Sequence, residues 1–192
     1  MTTAQAIQKM ERPSASTPYF GMLLFLVSES FLFGALFWAY YYLKVKSPVW
    51  PPEGVHLETA LVSANTAILL ISAASMQAAI LAIRKGHRKR LMLALAITIL
   101  LGSAFLAIKG WEWVHSDFRP WDHAYGSIYF TITGFHGIHV LGGILLLGAL
   151  LVRAGRGLFD ARRHLAIEVA GLYWHYVDLV WIAVFATIFI IR

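Results

Sequence analysis

The chain has 192 residues, 59% of them hydrophobic and only 14% charged, with a formal net charge of +6. Soluble domains carry roughly 25% charged residues, so this composition leaves too little polar surface to cover a globule in water and points to an integral membrane protein. The lack of cysteine excludes disulfides, zinc ribbons, iron–sulfur clusters and thiol nucleophiles, and the Lys and Arg residues sit in short loops between apolar runs, a mark of membrane topology and not of nucleic-acid binding.

Residues 1–18 are polar, contain Pro13 and Pro18, and lack the basic-then-apolar order of a cleavable signal peptide; they read as a short N-terminal arm. Crossing a bilayer takes about 20 mostly apolar residues. Five segments qualify, at about 19–43, 58–83, 91–115, 125–152 and 165–191. Short connections predict antiparallel neighbours, hence an all-α bundle of five transmembrane helices forming one domain over 19–192. One side of the membrane receives Lys9, Arg12, Arg84, Lys85, Arg88, Lys89, Arg90, Arg153, Arg156, Arg162 and Arg163; the other receives Lys44, Lys46, Lys109, Arg119 and Arg192. The positive-inside rule then places the N-terminus in the cytoplasm and the C-terminus outside. Trp50, Trp111, Trp113 and Trp121 fall in an aromatic belt at the outer interface.

In the first span, Glu29 lies in Phe25-Leu-Val-Ser-Glu-Ser-Phe-Leu-Phe33, roughly 15 Å deep at 1.5 Å per residue. The plain reading is a carboxyl hydrogen-bonded to a neighbouring Ser or backbone carbonyl. The preferred one is a proton-exchanging or lipid-head-group site, because an ionisable group at that depth is costly unless it has a function. In the second span Asn65 and Ser72 share a stripe suited to interhelical hydrogen bonds. In the third, Lys109 and Glu112 stand at i, i+3 near the outer end, where the lysine can snorkel and pair.

The fourth span carries Gly134-Phe-His-Gly-Ile-His-Val-Leu-Gly-Gly143, which puts His136, His139 and Gly143 on one face. In the last span Glu168, Gly171, His175 and Asp178 share one side and Trp174 and Trp181 the opposite one, predicting a polar seam for another protein surface. Glu29, His136, His139, His175 and Asp178 all come out near one central depth, which predicts a shared polar locus. His136 with His139, or His175 with Asp178, have metal-ligand spacing; hydrogen bonding across helix interfaces is the preferred reading for each. No Ser-His-Asp order, phosphate-binding glycine loop or Glu-x-x-His pair occurs, so no catalytic residue and no metal site is assigned. A stand-alone membrane metalloenzyme and a proton-coupled transporter with Glu29 as relay stay open, although neither an inverted repeat nor a broken helix is evident.

Several stretches together resemble subunit III of the haem–copper oxidases, most closely the cytochrome c oxidase form. They are Ser28-Glu29-Ser30, Phe37-Trp38-Ala39, Asn65-Thr66, Leu101-Gly102, Glu112-Trp113, Tyr125-Gly126-Ser127, Thr133 through Val140, and Glu168 through Trp181, in family order from residue 19 onward. The resemblance implies an accessory, non-catalytic subunit of a bacterial plasma-membrane oxidase that packs on subunit I beside subunit II. Haem and copper are then expected in those partners, with none held by this chain. It also implies that Glu29, Trp38 and Arg153 belong to a phospholipid-filled cleft that sustains proton uptake and guides oxygen. A quinol-oxidase subunit III is the alternative within the family. Mitochondrial-type members have seven spans, so this chain reads as lacking the first two, which form one wall of that cleft. Lys109 stands where Gln is common, and Tyr176 where Phe is usual.

Overall fold

A bilayer offers no water to backbone amides, so each apolar run must satisfy its own N–H and C=O groups within a helix. The computed structural model describes residues 16–191 and folds them into α1 (Ser16–Lys46), α2 (Thr59–Arg84), α3 (Arg88–His115), α4 (Ala124–Gly155) and α5 (Leu165–Phe185). A π-helical turn, Ala186–Ile190, extends α5. All five helices are long and apolar enough to cross a membrane. Residues 1–15, with Lys9 and Arg12, and residue 192 lie outside the described residues. α1 already begins at Ser16, with Pro18 in its first turn, where a missing N–H removes no helical hydrogen bond.

Helices α2, α3, α4 and α5 close a ring in which each packs on the next and α5 returns to α2, while α1 lies outside against α4 and α5. The most apolar window of α5 is 56% buried, against 11% for α1. α5 is thus the central helix and α1 an outrigger.

Two tryptophans explain that centrality. The Trp174 ring lies on Gly102 of α3 and Gly143 of α4, where an added Cβ would stand 2.7 Å from ring atoms. Its Nε1 donates to Ser72 Oγ of α2 at 3.1 Å. Two turns on, Trp181 Nε1 donates to Thr66 Oγ1 of α2 at 3.0 Å, and its ring meets Phe105 edge-on at 4.8 Å. Both indoles therefore bury a large apolar body with the polar atom satisfied.

The α2–α3 reversal turns on Gly86, whose φ of +73° lies in the left-handed region that glycine enters without a Cβ clash. Gly86 N–H donates to Ile83 O at 2.8 Å and His87 N–H to Ala82 O at 2.9 Å, closing the end of α2. The α4–α5 connection is held by Asp160, whose Oδ1 accepts the backbone N–H groups of Arg162 and Arg163, each at 2.8 Å. Those two bonds, with the Arg163 guanidinium at 3.1 Å, hold the Asp160 carboxyl below the usual carboxylate range.

Candidate functional site

Among the residues predicted at mid-membrane, two meet. Glu29 of α1 places Oε2 3.0 Å from Nε2 of His139 on α4. On its other side, His139 Nδ1 lies 2.7 Å from the Phe135 carbonyl one turn earlier. A carbonyl only accepts, so Nδ1 carries a hydrogen. Nε2 is then either the acceptor of a proton from Glu29 or the donor to its carboxylate. In both forms the pair shares one proton and has no net charge, which lowers the cost of keeping two titratable groups in a membrane. The partner of Glu29 is a histidine on another helix and not the neighbouring serine or carbonyl of the plain reading: Ser28 Oγ and Ser30 Oγ instead donate back to Phe25 O and Leu26 O.

Neighbours fix this pair in place. Phe33 sets its ring against the His139 imidazole at 5.2 Å, and Tyr173 OH of α5 donates to the His139 carbonyl oxygen at 2.8 Å. Next to Glu29, Ser30 Oγ lies 3.2 Å from Tyr176 OH of α5, within hydrogen-bond distance. The side chains of Glu29 and His139 are 18% and 13% exposed, so the pair opens onto the membrane-facing surface of the α1–α4 junction and is not sealed in the core.

The remaining predicted residues are dispersed. Trp38 follows Glu29 by nine positions, half a turn round α1, and is 69% exposed with its ring stacked on Tyr42. Arg153 shares the His139 side of α4 but lies about 21 Å along the helix, packed on the Phe159 ring. His136 does not join His139: it is 1% exposed and lies against the Trp181 ring at 4.7 Å, with neither ring nitrogen hydrogen-bonded among the described residues. Asn65 donates from Nδ2 to the Phe105 carbonyl at 3.1 Å, joining α2 to α3.

The polar side of α5 is divided as well. Glu168 lies at the helix start and accepts from Tyr19 OH and from Arg84 Nε at 2.7 Å, with His164 Nε2 3.3 Å away, so one carboxylate ties α1 and α2 to α5. Gly171 faces inward against Ile80 and Met76 of α2. Asp178 is buried with neither carboxyl oxygen hydrogen-bonded among the described residues, while His175 is half-buried. Among the described residues no three His, Cys, Asp or Glu side chains form a group that could hold a metal ion.

One cluster is tighter than its sequence spacing suggested. Lys109 is 3% exposed and does not snorkel. Its Nζ donates to both Glu112 oxygens at 3.0 Å and to Tyr129 OH at 3.1 Å, and the rings of Tyr129, Trp181 and Phe189 surround it within 5.1–5.3 Å. Tyr129 OH in turn donates to Glu112 at 2.5 Å. The i, i+3 spacing foretold the ion pair; the enclosing rings come from α4, α5 and the π turn, far away in sequence.

The family profile described as Cytochrome c oxidase subunit III matches residues 12–191. Curated proteins named cytochrome c oxidase subunit 3 from Osphranter robustus, Ornithorhynchus anatinus and Oryctolagus cuniculus are 40%, 39% and 38% identical. Each alignment covers 88% of this chain and 68% of the relative.

Proposed function

Because the chain belongs to the cytochrome c oxidase subunit III family, as the match over residues 12–191 shows, we propose that it is the accessory subunit III of a haem–copper terminal oxidase with cytochrome c as donor. Subunits I and II are its partners in a bacterial plasma membrane, with the N-terminus in the cytoplasm. They carry the haem and copper and reduce dioxygen to water with coupled proton translocation, while this chain packs on subunit I and holds neither group. The observation that carries the reading is the family match over residues 12–191, nearly the whole chain. The geometry is compatible with it, since the mid-membrane histidines and acids lie in separate places and build no common ligand set among the described residues. Glu29 and His139 share a proton, and His136 packs against Trp181.

The chain's own contribution is then the Glu29–His139 pair at the α1–α4 junction. The carboxyl and imidazole pass one proton between Oε2 and Nε2 without changing net charge, at a point open to the bilayer. A phospholipid lying along the junction, with its phosphate near Arg153, would end its acyl chain near this pair, since about 21 Å separates the two levels. The apolar junction also suits dioxygen, which partitions into hydrocarbon.

The test is a reduced-minus-oxidised spectrum and a metal assay on tagged chain extracted in mild detergent, before and after partners are stripped away. Haem and copper should accompany the partners and leave with them. Metal that remains stoichiometric on the stripped chain would return attention to the histidines.

A further inference from the structure

At the basic end of the bundle, where Gly86 reverses the chain, α2 and α3 diverge around a groove of about 250 Å³. Its floor is apolar and made of small or membrane-facing side chains: Ala78 and Leu81 on α2 and Ala94 on α3. Its rim is cationic, formed by Lys85, His87 and Arg90. Leu81 is 47% exposed at the end of a span, so the floor opens sideways to the hydrocarbon and the rim faces the head-group layer.

Several of the cations at this end of the molecule are already engaged. Arg84 pairs with Glu168, Arg88 donates to the Gly155 carbonyl and Arg163 pairs with Asp160. Lys85 and Arg90 form no ion pair among the described residues; neither do Lys89, Arg156 and Arg162, but these do not line the groove. α3 also starts at the groove without a side-chain cap, so its first-turn N–H groups and the positive end of its dipole add to the same field.

We propose that this α2–α3 groove binds an anionic phospholipid of the adjoining leaflet, its phosphate held by Lys85 and Arg90 and one acyl chain lying over Ala78, Leu81 and Ala94. Charge complementarity selects the anionic head group, and the apolar floor selects a lipid over a free phosphate ion. A partner's acidic side chain would meet the rim but leave the floor uncovered. The site needs only a membrane-spanning chain, so it stands or falls apart from the oxidase reading and from the Glu29–His139 pair.

The experiment is native mass spectrometry of the full chain, with whatever partners co-purify, titrated with dioleoylphosphatidylglycerol or dioleoylphosphatidylcholine. Phosphatidylglycerol should bind more tightly than phosphatidylcholine. Lys85→Ala/Arg90→Ala should weaken it roughly tenfold or more. Arg156→Ala/Arg162→Ala removes equal charge from the same end outside the groove and should leave binding close to wild type. Ala78→Phe fills the floor and should weaken lipid binding without changing any charge, and the charge-retaining Lys85→Arg/Arg90→Lys variant should keep the lipid. Equal affinity for the two lipids, equal losses from the two double-alanine variants, or unaltered binding to Ala78→Phe would overturn the proposal. Complete displacement of the lipid by equimolar inorganic phosphate would overturn it too, by making the free anion the ligand.

Discussion

Glu29 Oε2 and His139 Nε2 stand 3.0 Å apart although 110 residues separate them in sequence. This bond joins the outrigger α1 to the ring at mid-membrane. Similar rungs lie at either end, Tyr19 to Glu168 at one and Lys44 Nζ to the Ile191 carbonyl at 3.2 Å at the other. Helix α1 buries little surface, so these polar contacts fix its register. Removing one partner should leave the other unsatisfied at a cost of about 1–3 kcal/mol. His139→Ala and Glu29→Ala should each lower stability by that order in a detergent-unfolding titration, with the double variant less damaged than the sum of the two. Strict additivity would mean that the bond contributes nothing.

Glu29→Gln separates proton exchange from positioning. An amide N–H can still donate to Nε2, so α1 stays seated, but no proton can pass between the two side chains. The purified oxidase carrying this variant should keep its full haem-to-protein ratio and lose one protonatable carboxyl from its infrared difference spectrum. A drop in haem content would show that Glu29 acts beyond this chain's own helices.

Lys109→Met strands the Glu112 carboxylate among aromatic rings, and breaking a buried pair in this way costs about 3–5 kcal/mol. Replacing both, Lys109→Met with Glu112→Leu, removes the stranded charge and should recover much of the loss. The comparison is read from the unfolding midpoints of the two variants. A double variant no better than the single one would show that the pair is needed for more than its own neutralisation.

Glycines predict a contrast of opposite sign. A methyl at Gly143 would enter the Trp174 ring, so Gly143→Ala should cost about 1–3 kcal/mol through overpacking. Nothing lies within 4 Å of the Cβ position at Gly34, where Gly→Ala should instead stabilise α1 by roughly 0.5–1 kcal/mol. Matching effects at the two positions would contradict the close seating of Trp174.

The α4–α5 connection should respond to pH. Because folding lowers the Asp160 pKa, its contribution is present above the ordinary carboxylate range and fades as pH falls through the lowered value. Hydrogen-exchange protection of the Arg162 and Arg163 amides, corrected for intrinsic rates, should decline over that acidic window. In Asp160→Asn the protection should be independent of pH there.

Much of this was legible along the chain. Five apolar runs of spanning length determined five helices, because a bilayer gives the backbone no other way to satisfy its hydrogen bonds. The motifs around Glu29, His139 and Trp174 identified the family, and the i, i+3 spacing determined the Lys109–Glu112 pair. Depth along a helix is also a sequence property, at 1.5 Å per residue, so Glu29 and His139 could be placed at one level.

Equal depth does not give direction, and only the tertiary structure decided which of the mid-membrane groups meet. Rotation about each helix axis is set by packing: Trp174 locks α5 against Gly102 and Gly143, which turns Tyr173 toward His139 and leaves Asp178 in the interior. The same rotation divided His136 from His139, although both lay on the face predicted from their spacing, since 60° around a helix is enough to send one ring to Trp181 and the other to Glu29. The groove at Lys85 and Arg90 was hidden for the same reason. Its cations were visible in sequence, but which of them remain unpaired depends on where Glu168, Gly155 and Asp160 come to lie in space.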